Sequence, residues 1–341
     1  MPVEIKNAEA GAAQALWCVG IGQAELRTAT LAPLQPGEAR LAMLWSGLSR
    51  GTERLVFSGK VPASEYERMR APMQEGDFPF PVKYGYCAVA RVEDGPSGLA
   101  GKNVFCLHPH QNFFNAPVRS LAVLPEGLPL RRATLAANME TALNALWDSG
   151  AGPGDRIVVV GAGLVGLLVA YIAAGLPGAD VTAVDVDAGR ARLVESFGAQ
   201  FATPGEFQNA RHADADIVFH ASASPAGLAL ALSAGGLEAR IVEMSWYGEG
   251  ATATPLGGAF HSRRLHIISS QVGQIAPSRR PRWSYARRLA KALELLADER
   301  LDALITQEVE FSQLPQAMPQ LLAPGASGLA TAVHYGAARN I

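Results

Sequence analysis

Three glycines that follow a short β-branched run are the residues whose spacing most clearly indicates chemistry. Gly161, Gly163 and Gly166 come directly after Ile-Val-Val-Val and lead into an apolar, helix-compatible segment that includes Leu164 and Val165. In such a motif the first glycine allows a tight turn, the second lets the backbone approach a pyrophosphate, and the third lets the helix pack close to the strand. Because the motif stands between a strand and a helix, it predicts that these five residues bind a dinucleotide at the helix N-terminus.

An acidic residue stands where such a site needs one. Asp185 ends a second strand-like run, Val-Thr-Ala-Val, about 20 residues after the glycines. Its carboxylate can accept hydrogen bonds from both adenosine ribose hydroxyls and would repel a 2′-phosphate, so the sequence favours NAD and makes NADP the less favoured cofactor. Arg190 and Arg192 soften this preference because an arginine can accommodate a phosphate, and Arg190 is included among the cofactor-binding candidates. The alternative is a Gly-rich turn that binds nothing.

Length and composition limit the class of protein. The 341 residues are enough for two domains, and a content of 49% hydrophobic residues can bury large cores. A formal net charge of −2 argues against a nucleic-acid-binding surface. The N-terminus lacks the pattern of a signal peptide, and the longest apolar run belongs to the glycine motif, so no membrane segment is expected. Cys18, Cys87 and Cys106 are well separated and form no disulfide framework, which is typical of a cytoplasmic protein.

The pattern of elements predicts an α/β fold. Residues 1–135 contain short apolar or alternating runs punctuated by Gly and Pro, which indicates a β-rich domain. Strands and helices alternate through residues 136–272, which predicts a Rossmann domain with a doubly wound parallel sheet of about six strands. Residues 273–341 carry a basic amphipathic helix and further strands, and we expect this segment to return to the first domain.

This order of domains resembles the medium-chain dehydrogenase/reductase superfamily, the zinc-type alcohol dehydrogenase-like proteins with a GroES-like catalytic domain and a Rossmann domain. The resemblance covers nearly the whole chain and rests on residues 46–53, residues 154–166 and Asp185. It implies a homodimer that transfers a hydride between a nicotinamide cofactor and a small alcohol or carbonyl substrate. The Ser-Gly-x-Ser-x-Gly-Thr-Glu form of the first motif is similar to a narrower group that includes the bacteriochlorophyllide a hydroxyethyl dehydrogenases.

The motifs depart from the family at the zinc ligands. Zinc members carry a cysteine in the first motif and a histidine in a later Gly-His-Glu. Here Ser49 or Arg50 replaces the cysteine, depending on the alignment, and Tyr86 replaces the histidine. Only Cys106 stands where the family's four-cysteine structural lobe is expected. Because zinc is bound by nitrogen and sulfur ligands that converge in a tetrahedron, we predict no structural zinc and no catalytic zinc.

Histidines provide weaker signals. His108 and His110 follow Cys106 in a C-x-H-x-H pattern that could place three ligands on one face of a strand. Pro109 interrupts that geometry, so a structural role is favoured over a metal site. The isolated histidines, among them His212 and His220, are also expected to be structural.

Without a metal, hydride transfer to a carbonyl needs another electrophile or proton source. Tyr86 is the first catalytic candidate because it matches a zinc-ligand position that faces the active site in the family; a core tyrosine is the alternative. Thr52 matches a hydroxyl relay to the nicotinamide ribose in one alignment, and Glu53 could orient that network. For these two, the alternatives are a local hydrogen bond and a carboxylate favoured at a helix start.

Four further residues are candidates for cofactor binding. In one alignment Arg50 stands where some members bind the pyrophosphate, and Thr141 matches the family helix whose threonine helps to position nicotinamide. Ser269 and Gln271 follow a late strand at its carboxyl end, where ligands bind in open α/β sheets. Two other functions stay open: an NADPH-dependent quinone or enone reductase, and a non-catalytic dinucleotide-binding protein.

Overall fold

The structure, a computed structural model, describes residues 12–209 and 214–336. His212 therefore lies outside the described residues. The strands, in chain order, are β1 (Ala12–Gly20), β2 (Gln23–Thr30), β3 (Glu38–Leu48), β4 (Glu75–Gly76), β5 (Val82–Lys83), β6 (Ala88–Asp94), β7 (Asn103–Cys106), β8 (Phe113–Pro117), β9 (Ala122–Val123), β10 (Arg156–Val160), β11 (Asp180–Val184), β12 (Gln200–Ala202), β13 (Ala215–His220), β14 (Gly235–Glu243), β15 (His266–Ser269), β16 (Ile305–Glu310) and β17 (Ala330–His334).

Helices connect the strands, mainly in the second half of the chain. Over the described ranges, none of them is long and apolar enough to cross a bilayer. The α-helices are α1 (Thr52–Phe57), α2 (Leu130–Ala133), α3 (Ala136–Ser149), α4 (Leu164–Ala174), α5 (Ala191–Ser196), α6 (Pro204–Asn209), α7 (Pro225–Ala234), α8 (Tyr285–Leu295) and α9 (Leu314–Leu321).

The chain divides into two compact units, and the first is built mainly of β-sheet. This unit runs to Ala137 and resumes at Ile305. A four-stranded sheet has the order β2-β1-β5-β4, and a seven-stranded sheet has the order β16-β17-β3-β6-β7-β9, with β8 paired to β3. Burial alternates along the first half of β3, so Leu41 and Met43 share one core with other strands of the sheet.

The second unit, Asn138–Leu304, is built around a single parallel sheet. The strand order is β12-β11-β10-β13-β14-β15, and every neighbouring pair is parallel. Counted along the unit, this is the doubly wound order in which ligands bind at the carboxyl ends of the strands beside the switch point. The central strand β10 is buried from Ile157 onward, as is typical of parallel sheets covered on both faces. The predicted α/β fold class is confirmed.

Helix α8 lies in the second unit, whereas the sequence interpretation assigned all of residues 273–341 to the return to the first domain. A buried ion pair explains the difference. The Nε atom of Arg288 on α8 lies 2.9 Å from Oε1 of Glu140 on α3, and both side chains are almost fully buried. The same guanidinium donates hydrogen bonds to Oδ1 of Asn144 and to the carbonyl of Val272. The segment that joins the first unit therefore begins at Ile305.

We predict that Arg288→Met destabilises the protein far more than Lys291→Met on the same helix. Removal of Arg288 leaves the carboxylate of Glu140 buried without its cation, which costs about 3–5 kcal/mol. Lys291 forms an exposed pair with Glu294, and such a pair contributes about 1 kcal/mol or less. Thermal melting followed by circular dichroism checks this, and equal losses in the two variants would contradict it.

Candidate functional site

The glycine motif forms the turn between β10 and α4, and two of its glycines are required by space. Gly161 has a φ of +105°, and a Cβ there would lie 2.8 Å from the backbone nitrogen of Ser222. A Cβ on Gly166 would lie only 1.8 Å from the carbonyl oxygen of Gly161. Because real Cβ atoms do not approach this closely, the helix can start here only if residue 166 is glycine.

Gly163 differs from the other two glycines because its Cβ position is open. It is the N-cap of α4, no side chain caps the helix there, and an added Cβ would meet nothing within 4 Å. Leu164 and Val165 form the first helical turn, whose backbone N–H groups have no partner within the helix. An open position before such a turn is the arrangement that lets an anion approach the helix N-terminus.

Asp185 lies beside this turn, directly after β11. Its Oδ2 accepts a hydrogen bond from the backbone N–H of Ala162 at 2.6 Å, and its Oδ1 accepts one from Asp187 at 2.9 Å. Arg190 lies close by, with Nε 3.1 Å from Oδ2 of Asp187. The adjacent side chain of Val186 is 85% exposed, although an aliphatic side chain gains by burial. A glycine turn, a fixed carboxylate and an exposed apolar side chain together fit the adenosine half of a dinucleotide.

In the first unit, the three catalytic candidates lie together. The hydroxyl of Tyr86 donates a hydrogen bond to Oγ of Ser49 at 2.6 Å. Burial raises the pKa of Tyr86 well above its usual range, and hydrogen bonds with the side chains of Ser49 and Thr52 oppose that rise. Tyr86 is therefore protonated at neutral pH and acts as a hydrogen-bond donor. Thr52 begins α1, one residue before Glu53.

Glu53 belongs to a buried polar chain that extends away from Tyr86. Its Oε1 accepts a hydrogen bond from the backbone N–H of Ser49 at 2.7 Å, and its Oε2 lies 3.1 Å from Nε2 of His110. Nδ1 of His110 is 2.7 Å from Oγ of Ser46, which is 3.0 Å from the hydroxyl of Tyr335. Glu53 thus fixes the backbone at Ser49, and His110 in turn fixes Glu53.

The residues at the family's zinc positions do not fit a zinc ion. Two oxygen ligands of tetrahedral zinc, each about 2.1 Å from the metal, are about 3.4 Å apart. The hydroxyl oxygens of Ser49 and Tyr86 are 2.6 Å apart, a distance that suits a shared proton. Across residues 12–209 and 214–336, no group of three or more His, Cys, Asp or Glu side chains is arranged to hold a metal.

The other histidine of the C-x-H-x-H pattern, His108, packs in the interior of the first unit. His108 stacks on Phe114 with 3.7 Å between the ring centroids, and its Nδ1 lies 2.8 Å from the carbonyl oxygen of Pro109. Burial lowers the pKa of His108 to about 3. The imidazole is therefore neutral at physiological pH.

The other cofactor candidates stay predictions. The guanidinium of Arg50 donates to the carbonyls of Ala326, Ser327 and Gly328 in its own unit. Ser269 is the exposed last residue of β15, and Oε1 of Gln271 accepts a hydrogen bond from the N–H of Gly273 at 2.6 Å.

Thr141 lies partly buried on α3. The neighbouring side chain of Glu140 accepts a hydrogen bond from Arg288.

Sequence reasoning did not predict two clusters of hydrogen-bonded polar side chains. The first contains His110 and Ser46, which connect to Glu53; the C-x-H-x-H pattern drew attention to His110 but not to this contact. In the second unit, His220 is fully buried and bonded to Glu243 and Ser222. The available signal was that both His220 and Glu243 end apolar runs, where a buried polar residue requires a partner.

Comparisons with known proteins agree with this architecture. Residues 148–234 match a family model described as Alanine dehydrogenase/PNT, C-terminal domain. An uncharacterized zinc-type alcohol dehydrogenase-like protein of Haemophilus influenzae is 26% identical over 221 residues, which cover 62% of this chain and 60% of that protein. The chain thus spans less than two thirds of that relative.

Two crystal structures share the fold over nearly their whole length. A short chain alcohol dehydrogenase from E. coli CFT073, complexed with cofactor NADH, has a TM-score of 0.75 at 14% identity, with 95% of this chain and 99% of that chain covered. L-idonate 5-dehydrogenase from Escherichia coli has a TM-score of 0.78 at 14% identity, with 95% and 98% covered. The chain therefore shares the fold of these dehydrogenases.

We predict that Gly166→Ala lowers the melting temperature strongly, whereas Gly163→Ala leaves it close to that of the unaltered protein. The alanine at 166 must displace the carbonyl of Gly161 or the start of α4, whereas the alanine at 163 enters open space. Thermal melting of both variants checks this. Gly152→Ala is the matched control because an added Cβ there also meets nothing within 4 Å. Similar melting temperatures for the 166 and 163 variants would contradict the packing argument.

Proposed function

We propose that this protein is a zinc-independent oxidoreductase that transfers a hydride between NAD and an alcohol or carbonyl substrate. The observation that carries the proposal is the glycine turn with the carboxylate of Asp185 bonded to the N–H of Ala162 at 2.6 Å. The similarity to dehydrogenases supports the reaction class, since the proteins named above include dehydrogenases and one of them is complexed with NADH.

The surroundings of Asp185 support NAD over NADP. Two backbone N–H groups fix its carboxylate beside the turn, where it can accept hydrogen bonds from two ribose hydroxyls. A 2′-phosphate at the same place would meet a negative charge. Arg190, the nearby cation, has Asp187 as an ion-pair partner, which weakens its capacity to compensate a phosphate.

The bound nicotinamide would supply or accept the hydride, and the first unit would handle the proton. Tyr86 is our candidate proton donor in carbonyl reduction because its phenol is protonated and half-buried. In this structure the phenol donates its single proton to Oγ of Ser49. For catalysis the O–H would turn to the substrate carbonyl, and the hydroxyls of Ser49 and Thr52 would then donate to the phenol oxygen. Glu53 acts as a positioning residue, since it holds the N–H of Ser49 and is itself held by His110.

One observation favours a second candidate, a quinone or enone reductase. Reduction of a conjugated C=C needs little acid catalysis, and the strongly raised pKa of Tyr86 makes the phenol a weak acid. The two candidates differ in what they require of the phenol. A ketone reductase depends on its proton, whereas an enone reductase does not.

We include a homodimer and a cytoplasmic location in the proposal. Strand β15 is at the edge of its sheet, and its Ile267 side chain is 40% exposed, so a second copy could pair with this edge. The three cysteines are buried and form no disulfide bond, as is usual in a reducing compartment.

The cofactor proposal predicts that the protein binds NADH and that Asp185→Ser reduces its preference over NADPH by about tenfold, or about 1.4 kcal/mol. The serine still offers an oxygen to the N–H of Ala162 but no longer repels a 2′-phosphate. Titration of both cofactors checks this. Asp180→Asn, at the other end of β11, is the control and should keep the preference. Failure of the unaltered protein to bind either cofactor would contradict the proposed function.

For ketone reduction, Tyr86→Phe should lower kcat by about 10²–10⁴-fold, the usual contribution of a general acid, with little change in KM. Tyr84→Phe is the matched control because Tyr84 is a buried neighbour with its ring centroid 6.0 Å away. Rates of NADH oxidation with a panel of ketones, quinones and enones check this. Unchanged turnover of Tyr86→Phe on an enone would favour the second candidate and contradict the first.

A further inference from the structure

A polar cluster lies at the carboxyl ends of β13 and β14, close to the glycine turn. His220 and Glu243 are the last residues of these two strands and stand side by side in the parallel register. Nδ1 of His220 is 2.8 Å from one carboxylate oxygen of Glu243 and 2.9 Å from the other. Nε2 of His220 is 2.7 Å from Oγ of Ser222. The imidazole of His220 is fully buried, and both of its ring nitrogens have side-chain partners.

The carboxylate of Glu243 determines where the imidazole carries its proton. Burial opposes ionisation, but hydrogen bonds from His220 and Ser245 hold the pKa of Glu243 below its usual range. The N–H of Ser245 donates to this carboxylate at 2.8 Å, and the hydroxyl of Tyr247 lies 3.4 Å away. Because Nδ1 faces a negative acceptor, the tautomer that fits these contacts carries its proton at Nδ1 and leaves Nε2 as an acceptor.

It follows that the hydroxyl of Ser222 donates its proton to Nε2 of His220. A hydroxyl has one proton and two lone pairs, so Oγ of Ser222 can only accept hydrogen bonds from any further partner. Two glycines make room for this arrangement. A Cβ on Gly227 would lie 2.1 Å from Oγ of Ser222, and one on Gly161 would lie 2.9 Å from its Cα.

The strand order shows which half of a dinucleotide Ser222 would meet. Asp185 follows β11, on one side of the central strand β10, and Ser222 follows β13, on the other side. If Asp185 binds the adenosine ribose at one side of the turn, Ser222 stands on the opposite, nicotinamide side. A ribose hydroxyl can donate a hydrogen bond, which suits an oxygen that can only accept.

We propose that Ser222 binds a hydroxyl of the nicotinamide ribose, and that His220 and Glu243 are positioning residues that keep Ser222 an acceptor. The inference rests on the proposed dinucleotide site. The next residue, Ala223, has a left-handed φ of +50°, which is unusual for a residue other than glycine. The N–H of Ala223 donates to Oγ of Ser245 at 3.0 Å, which ties the Ser222 loop to the segment that follows β14.

The test compares NADH with 5′-AMP, which carries only the adenosine half. We expect Ser222→Ala to raise the Kd of NADH by about three- to tenfold, the effect of one hydrogen bond, and to leave the Kd of 5′-AMP within about twofold. Binding of 5′-AMP also shows that the second unit is folded. Ser224→Ala is the matched control because its hydroxyl lies in the same loop but caps α7.

A double-mutant cycle tests the positioning role. Glu243→Gln replaces a carboxylate oxygen with an amide group, so the ring proton can move to Nε2. As a single substitution it should therefore weaken NADH binding. Combined with Ser222→Ala, it should cause no further loss of affinity. Additive losses would overturn the role of the pair, and a purely structural role would give such additivity.

Other outcomes separate this inference from the proposed function. An unchanged Kd of NADH in Ser222→Ala, or an equal loss of 5′-AMP binding, would overturn the inference and leave the dinucleotide site intact. If the unaltered protein binds neither NADH nor 5′-AMP, the proposed function fails and the inference fails with it. Should Ser222→Ala not fold, Glu243→Gln alone decides, since a selective loss of NADH supports the inference and unchanged affinity overturns it.

Discussion

The contact between the start of α4 and the end of β10 is the constraint on which the second unit's site depends. Gly166 faces the carbonyl of Gly161 at a distance that excludes any side chain. Because the helix starts so close to the strand, the N–H of Ala162 reaches Asp185, and Ser222 fits against Gly161. One pair of glycines thereby fixes the carboxylate on one side of the turn and the hydroxyl on the other.

In the first unit, hydrogen bonds connect the residues that stand at the zinc-ligand positions of similar proteins. A zinc ion polarises a carbonyl by its charge and requires ligands that converge on it. Ser49 and Tyr86 are too close for that and share a proton. The buried chain through Glu53, His110 and Ser46 fixes this pair in place. Chemistry at such a site depends on the direction and acidity of a phenol, and burial affects both.

Three carboxyl groups, two of them buried and the third partly buried, show how the partner determines the role. Glu140 is paired with Arg288, whose guanidinium is always charged and has no acceptor atom. That pair joins two helices, and the guanidinium keeps all of its protons. Glu53 and Glu243 are paired with His110 and His220, and an imidazole can carry its proton on either nitrogen. Only these two pairs can change the hydrogen-bonding state of a neighbouring hydroxyl.

The sequence alone determined the class of fold, the dinucleotide motif with Asp185, and the departure from the family's zinc ligands. These features are local, because hydrophobic period, glycine spacing and residue type act within one strand, turn or helix. Only the tertiary structure showed that His110 contacts Glu53 and that His220 lies beside Glu243. It also showed that α8 packs in the second unit through Arg288, and that Arg50 donates hydrogen bonds to carbonyls of the 326–328 segment. The partners in each case are far apart in the chain. Sheet register and helix packing decide such contacts, and although a polar residue at the end of an apolar run indicates that a partner is needed, a single sequence does not identify that partner.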